Sequence, residues 1–196
     1  MKRSLFKSSK GVAAIEAAIL LPIFVALIVA AIEFYQFFRA QSLLDRVAYD
    51  IAYSLSMQRQ VHNDGQCTVA TNICVYEHIA NDLYRPLDFS RHGRIIIAAY
   101  TGVQTEGSTA TRWQPGNGWP VSFGNGSLSS SGTLLNALPT PRAGETVIVV
   151  QTLYQTSPLI LTERMWRALR GSPVMQGQAA LRPRHDELRT LGPRAP

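Results

Sequence analysis

Lysine is absent after Lys10, cysteine occurs only twice, and no charged residue lies between Glu16 and Glu33. Each absence excludes something. Four of the nineteen basic residues, Lys2, Arg3, Lys7 and Lys10, precede Gly11, so the rest of the chain carries 15 basic against 13 acidic groups. The overall charge of +6 is therefore largely a property of the first ten residues, and it does not describe a phosphate-binding surface; no nucleic-acid partner is expected. Cys67 and Cys74 are separated by six residues, wider than the close pairs of structural zinc sites, although His62, Cys67, Cys74 and His78 can be written as a metal set. The histidines are scattered, no serine stands in a nucleophile elbow, and no carboxylate cluster has ligand spacing. No enzyme, cofactor or metal is expected. A chain of 196 residues has room for one modest core and a membrane segment.

What is present in excess is apolar sequence near the beginning. From Val12 to Ile32 only Glu16 is charged. A core helix is rarely apolar on every face for that length, whereas roughly twenty such residues span a bilayer. A secretory leader ending at Ala40 would place Phe38 where a small residue belongs, so removal on that side is not expected. Basic residues precede the run, and Phe34, Tyr35, Phe37 and Phe38 follow it like an interfacial belt, which puts the amino end in the cytoplasm. At about 1.5 Å per residue Glu33 falls roughly 32 Å beyond Val12, at the far interface. Glu33 then needs no special explanation. Glu16 does, because it lies within the apolar layer. Pro22, also inside the run, removes one helical hydrogen bond.

The residues around Glu16 carry a resemblance. "KG-VAAIE" is similar to a type IV prepilin processing site, where a leader peptidase cuts after glycine and leaves glutamate at the fifth place of the product; here that implies a cut between Gly11 and Val12. More specifically, Lys10 to about Ala52 resembles the TadE-like family of tight-adherence pilus assembly proteins, and "QAALRPRHDEL" resembles the family's end. The major subunits of that system follow the glutamate with tyrosine and are much shorter, whereas this chain has Ala17. The resemblance therefore implies a minor pilin or pseudopilin, placed in the inner membrane or in the extracellular filament. Its partners would be prepilin peptidase, other tight-adherence pilins and pseudopilins, the inner-membrane assembly platform and the lipid bilayer. Glu16 would serve subunit assembly. The rival reading is an uncleaved single-pass anchor for an extracytoplasmic binding or sensor module.

Beyond the bilayer the helix should continue, because Leu43, Val47, Ile51 and Leu55 repeat every four residues, with Leu44, Ala48 and Ala52 on the adjoining row and Arg46 placed to pair with Asp50. Continuous from Val12 to about Gln58, it would be roughly 70 Å long. Outside the cytoplasm Cys67 and Cys74 should form a disulfide pinning the loop that leaves the helix. Strands are expected at Gly93–Val103, at Glu145–Ser157, and in "SPVMQGQAALRPR" up to Pro183. The Gly-, Pro- and Ser-rich stretch 112–144 reads as a surface excursion, with Trp113 and Trp119 packing it on the sheet or exposed for binding. Residues 158–170 form a short helix candidate, for the core or a membrane surface, and the tail from Arg182 should be exposed. The expected fold is α+β and pilin-like: a leader over 1–11, a membrane helix over 12–38, and a globular domain over 39–196 that includes the end of the helix packed on a small antiparallel sheet.

Overall fold

The computed structural model describes residues 9–63, 67, 69, 71–104, 110–128, 138–156 and 174–192, with side chains from Ile15 onward except those of 186 and 187. The helix expected at 158–170 and the leader before Ser9 lie outside the described residues. One helix, α1, runs unbroken from Ser9 to Met57 through Pro22, about 74 Å at 1.5 Å per residue. Two short helices follow, α2 (Val75–Leu83) and α3 (Phe89–His92), and then the sheet. Its strands are β1 (Gly93–Gln104), β2 (Thr111–Pro115), β3 (Val121–Gly124), β4 (Thr146–Gln155) and β5 (Val174–Leu181). All pairings are antiparallel in the order β2-β1-β4-β5, and β3 pairs with the other end of β1 on the side that β2 occupies. The fold is α+β, with a long amino-terminal helix on a small antiparallel sheet.

Three strands stand where hydrophobic patterning places them, with β4 buried along nearly its whole length. The stretch 112–144 is not wholly an excursion, since β2 and β3 lie within or across it. Both are short edge strands of alternating exposure, and their period of two is hidden among glycine and proline.

The core forms between the outer half of α1 and one face of the sheet. Phe37, Ala40, Leu44, Val47, Ala48, Ile51, Ala52 and Leu55 are buried on the helix, against Ile95, Ile97, Ala99, Ile148, Val150 and Met175. Leu44 is fully buried and Leu43 only partly, so the stripe is centred one residue later than the four-residue repeat from Leu43 suggests. Removing each large aliphatic side chain from water contributes about 1.5–3 kcal/mol. Alanines at 40, 48 and 52 let the backbone approach, and the closest approach is at Gly177 of β5. A Cβ there would lie 2.6 Å from the Leu44 carbonyl carbon and 2.7 Å from its oxygen. Beside it, the buried Thr152 hydroxyl stands 3.2 Å from Leu44 O and 3.3 Å from Gly177 O, donating across the seam. Gln41 Nε2 donates to Gln176 O at 2.9 Å, and Arg46 pairs with Asp50 at 3.7 Å on the exposed side of the helix.

Tyr84 and Phe89 stack at 4.3 Å at the margin of this core, both buried. Burial pushes the Tyr84 phenol well above its ordinary range. Because the unfolded phenol ionises near pH 10 and the folded one does so higher, the stability that Tyr84 contributes is complete below about pH 10 and falls as pH rises through that window. Replacing Tyr84 with Phe is therefore expected to flatten the alkaline loss of stability by up to about 1.4 kcal/mol per pH unit, read from urea midpoints between pH 9 and 11. An unchanged slope would show that Tyr84 ionises as readily folded as unfolded.

The segment after β5 is not an exposed tail. Pro183 ends the strand, and residues 182–192 turn back over the body as a strap. The Arg184 amide donates to Ser56 O at 2.9 Å, satisfying a carbonyl at the end of α1. Leu188, in a 3-10 turn (Asp186–Arg189), is fully buried, and the Leu191 amide donates to Asn117 O at 3.0 Å. Arg182 pairs with Glu145, whose other carboxylate oxygen accepts the Arg142 amide at 2.9 Å, and Arg189 donates to Gly144 O at 3.0 Å. The Arg182-Pro183-Arg184 motif thus fastens the turn before β4 and the end of α1 to one strap.

Candidate functional site: an uncovered apolar stem with one acid

Helix α1 is two objects joined end to end. Every residue from Ile15 to Ile28 is exposed, and the side chains are Ile, Leu, Val, Phe and Ala all the way round, interrupted by Pro22 and Glu16. Leu21 is 65% exposed and Phe24 61%. This segment is long and apolar enough to cross a membrane, and no described part of the body covers it. From Ile15 to Ile32 the rise is about 27 Å, close to the roughly 30 Å of a hydrocarbon core. Phe34, Tyr35 and Phe38 then project outward, with Phe34 and Phe38 stacked at 6.5 Å, while Phe37 turns inward to begin the core. The uncovered sheath and the docked half therefore meet within a single turn at an aromatic collar.

Glu33 departs from the reading of an open charge at that interface. It is buried, on the face that continues through Phe37, Ala40 and Leu44, and so belongs to the end of the packed stripe. Glu16 is different. It stands exposed at the amino-terminal end of the sheath, one turn beyond Val12, and no described residue makes an ion pair with it. Gly11 and Val12 are the third and fourth residues of α1, one turn before Glu16; their side chains lie outside the described residues. A lone carboxylate at that depth in lipid is costly, and no described residue is positioned to offset it.

Residues 11–52 match the TadE-like protein family. The match covers the whole uncovered stem and the docked half of α1 up to Ala52, and stops before the sheet. The TadE-like family is one of pilus components and is not known for catalysis. No curated protein and no solved structure matches the chain.

Outside residues 11–52, the remaining sequence candidates do not share one site. Cys67 and Cys74 are bonded to each other, with Cα atoms 5.2 Å apart, where the chain leaves α1 and enters α2. His62 is buried nearby while His78 is exposed on α2, so the four residues of the metal alternative are not gathered around a common point. Among the described residues no group of three His, Cys, Asp or Glu side chains is placed to hold an ion. Trp119 is buried, and Trp113 donates its indole N–H to Pro139 O at 3.0 Å. Trp119 thereby packs the 112–144 stretch on the core, and Trp113 joins two parts of that stretch to each other. The residues that sequence reasoning missed are the seam of Gln41, Thr152 and Gly177, and the strap. A lone glycine inside a strand pattern is the available signal for the first, since it often marks close backbone approach.

Proposed function

We propose that the chain is a minor pilin or pseudopilin that acts in assembly of a tight-adherence pilus, inserted by the apolar half of α1 with its amino end cytoplasmic and matured by prepilin peptidase after Gly11. The observation that carries this reading is the uncovered sheath bearing one acid that pairs with no described residue, in the stretch that matches the TadE-like family. An anchor alone needs an apolar sheath and no buried charge; a subunit that packs against other stems has a use for one. The sheet and strap form the extracytoplasmic body, and their partners are other pilins and the assembly platform.

The decisive measurement is the amino-terminal residue of the protein taken from cells with an active prepilin peptidase. Intact mass should correspond to a chain starting at Val12, and Gly11→Val should leave the full-length precursor, because a branched side chain must then enter the site that glycine occupies. Met1 retained in the wild type would favour the single-pass anchored binding module and remove the assembly reading.

A further inference from the structure

We propose that the Cys67–Cys74 bond is a redox latch for the strap, acting through His62. Three short segments meet at that residue. His62 donates its amide to Thr71 O at 2.9 Å and accepts from the Ile73 amide at 2.9 Å, which joins it to the arm that ends in Cys74. On its other side Val61 O accepts the Gly192 amide at 2.9 Å, and the Asn63 amide points to Gly192 O at 3.4 Å. The strap's end is therefore bonded to the 61–63 arm, and that arm is bonded to the disulfide loop.

The imidazole makes the coupling steric as well. His62 is buried, and Gly192 sits so close to it that a Cβ at 192 would be 2.4 Å from Nδ1. A small displacement of the 61–63 arm must displace Gly192. That arm has left α1 at Met57 and has no regular element of its own; Val61 anchors its start in the core, and His62 is placed by its bonds to Thr71 and Ile73. These lead directly into Cys74, whose amide donates to Asn72 Oδ1 at 3.2 Å and whose sulfur closes the bond to Cys67. With two thiols the loop is an open segment, the ladder loses its outer rung, and the end of the strap keeps only buried Leu188 and the Leu191 bond to Asn117 O. When a protein disulfide oxidant takes up the two electrons and two protons of the thiols, becoming a dithiol itself, the cystine forms and the latch closes. The strap is thus fastened only after the chain has met an oxidising compartment. The inference rests on the junction's geometry and is independent of the pilus reading.

The test is amide hydrogen exchange at single-residue resolution on the full chain in detergent micelles, oxidised and after reduction by a phosphine. Reduction is expected to accelerate exchange of Leu191 and Gly192 about tenfold or more, together with Ile73, while the β4 amides keep their protection. Acceleration confined to 67–74 would overturn the latch, and so would loss of protection throughout β4, which would make the bond a support of the whole domain. Gly192→Ala, with the bond intact, supplies the second arm: exchange at 191 and 192 should rise while Ile73 stays protected and no thiol becomes reactive. Unchanged exchange at 191 and 192 in that variant would also overturn the proposal.

Discussion

Gly177→Val is expected to detach the sheet from α1 and lower the stability of the soluble body by about 3 kcal/mol or more, a large part of the 5–15 kcal/mol typical of a domain. The reason is the identity of the atoms in the way. The new Cβ would meet the Leu44 carbonyl carbon and oxygen and the Asp45 amide nitrogen, all within 2.8 Å, and backbone inside a continuous helix cannot rotate aside as a side chain can. Either the helix lifts from β5, opening the core around Leu44 and Val150, or β5 moves and breaks its ladder with β4. Both routes also pull Thr152 away from Leu44 O, leaving a buried hydroxyl and a buried carbonyl without each other. A second substitution, Leu44→Ala, should not rescue the variant, because it removes side chain where the obstruction is backbone. Gly126→Ala is the control: nothing lies within 4 Å of its Cβ position, and the midpoint of denaturant unfolding should stay within about 0.5 kcal/mol of wild type. Equal midpoints for the valine variant and the control would mean that helix and sheet are not held at this distance.

The parts of the molecule that could be read from sequence are those where one physical signal dominates. Twenty-one residues with a single charge among them have few uses, and the repeat at Val47, Ile51 and Leu55 can only face a core, so α1 was legible to within a residue at its end. The β-branched run in β4 is equally plain. The rest depends on which segments meet. Glu33 looks like an interfacial charge by its depth along the axis, but its azimuth on the helix puts it with Phe37 and Leu44, and azimuth matters only once the body is docked. The strap is polar and highly charged, as exposed tails are; its order comes from backbone bonds to Ser56, Val61 and Asn117, distant segments that composition does not reveal. Helices α2 and α3 are short and framed by turns, and β2 and β3 borrow their partner edge from β1, so none of the four carries a period long enough to stand out.

Glu16→Ala is expected to leave leader cleavage and membrane insertion intact and to reduce co-assembly with other pilins about tenfold or more. The proposed cleavage after Gly11 would give Val12 a free α-amino group, cationic near neutral pH. One helical turn separates it from Glu16, so each stem would carry one charge of either sign at similar depth in the apolar layer. Stranding either alone in lipid costs several kcal/mol, and pairing offsets part of that cost. Within one stem both groups are fixed to the same helix, and pairing there does nothing for a neighbour. Between stems, the amine of an incoming chain against the acid of the one before it sets their axial offset and favours contact over separation. A loss of even 1.4 kcal/mol at that contact is tenfold in an association constant, and stranding the partner amine adds to it. Glu33→Ala separates this role from a general need for acid on α1: its side chain is buried against the body, so it should lower the unfolding midpoint while leaving co-assembly of the folded fraction unchanged. Crosslinking yields and pilus counts at matched protein levels distinguish the two variants. Wild-type co-assembly by the Glu16 variant would mean that the acid serves the single chain, and the sheath would then be an anchor.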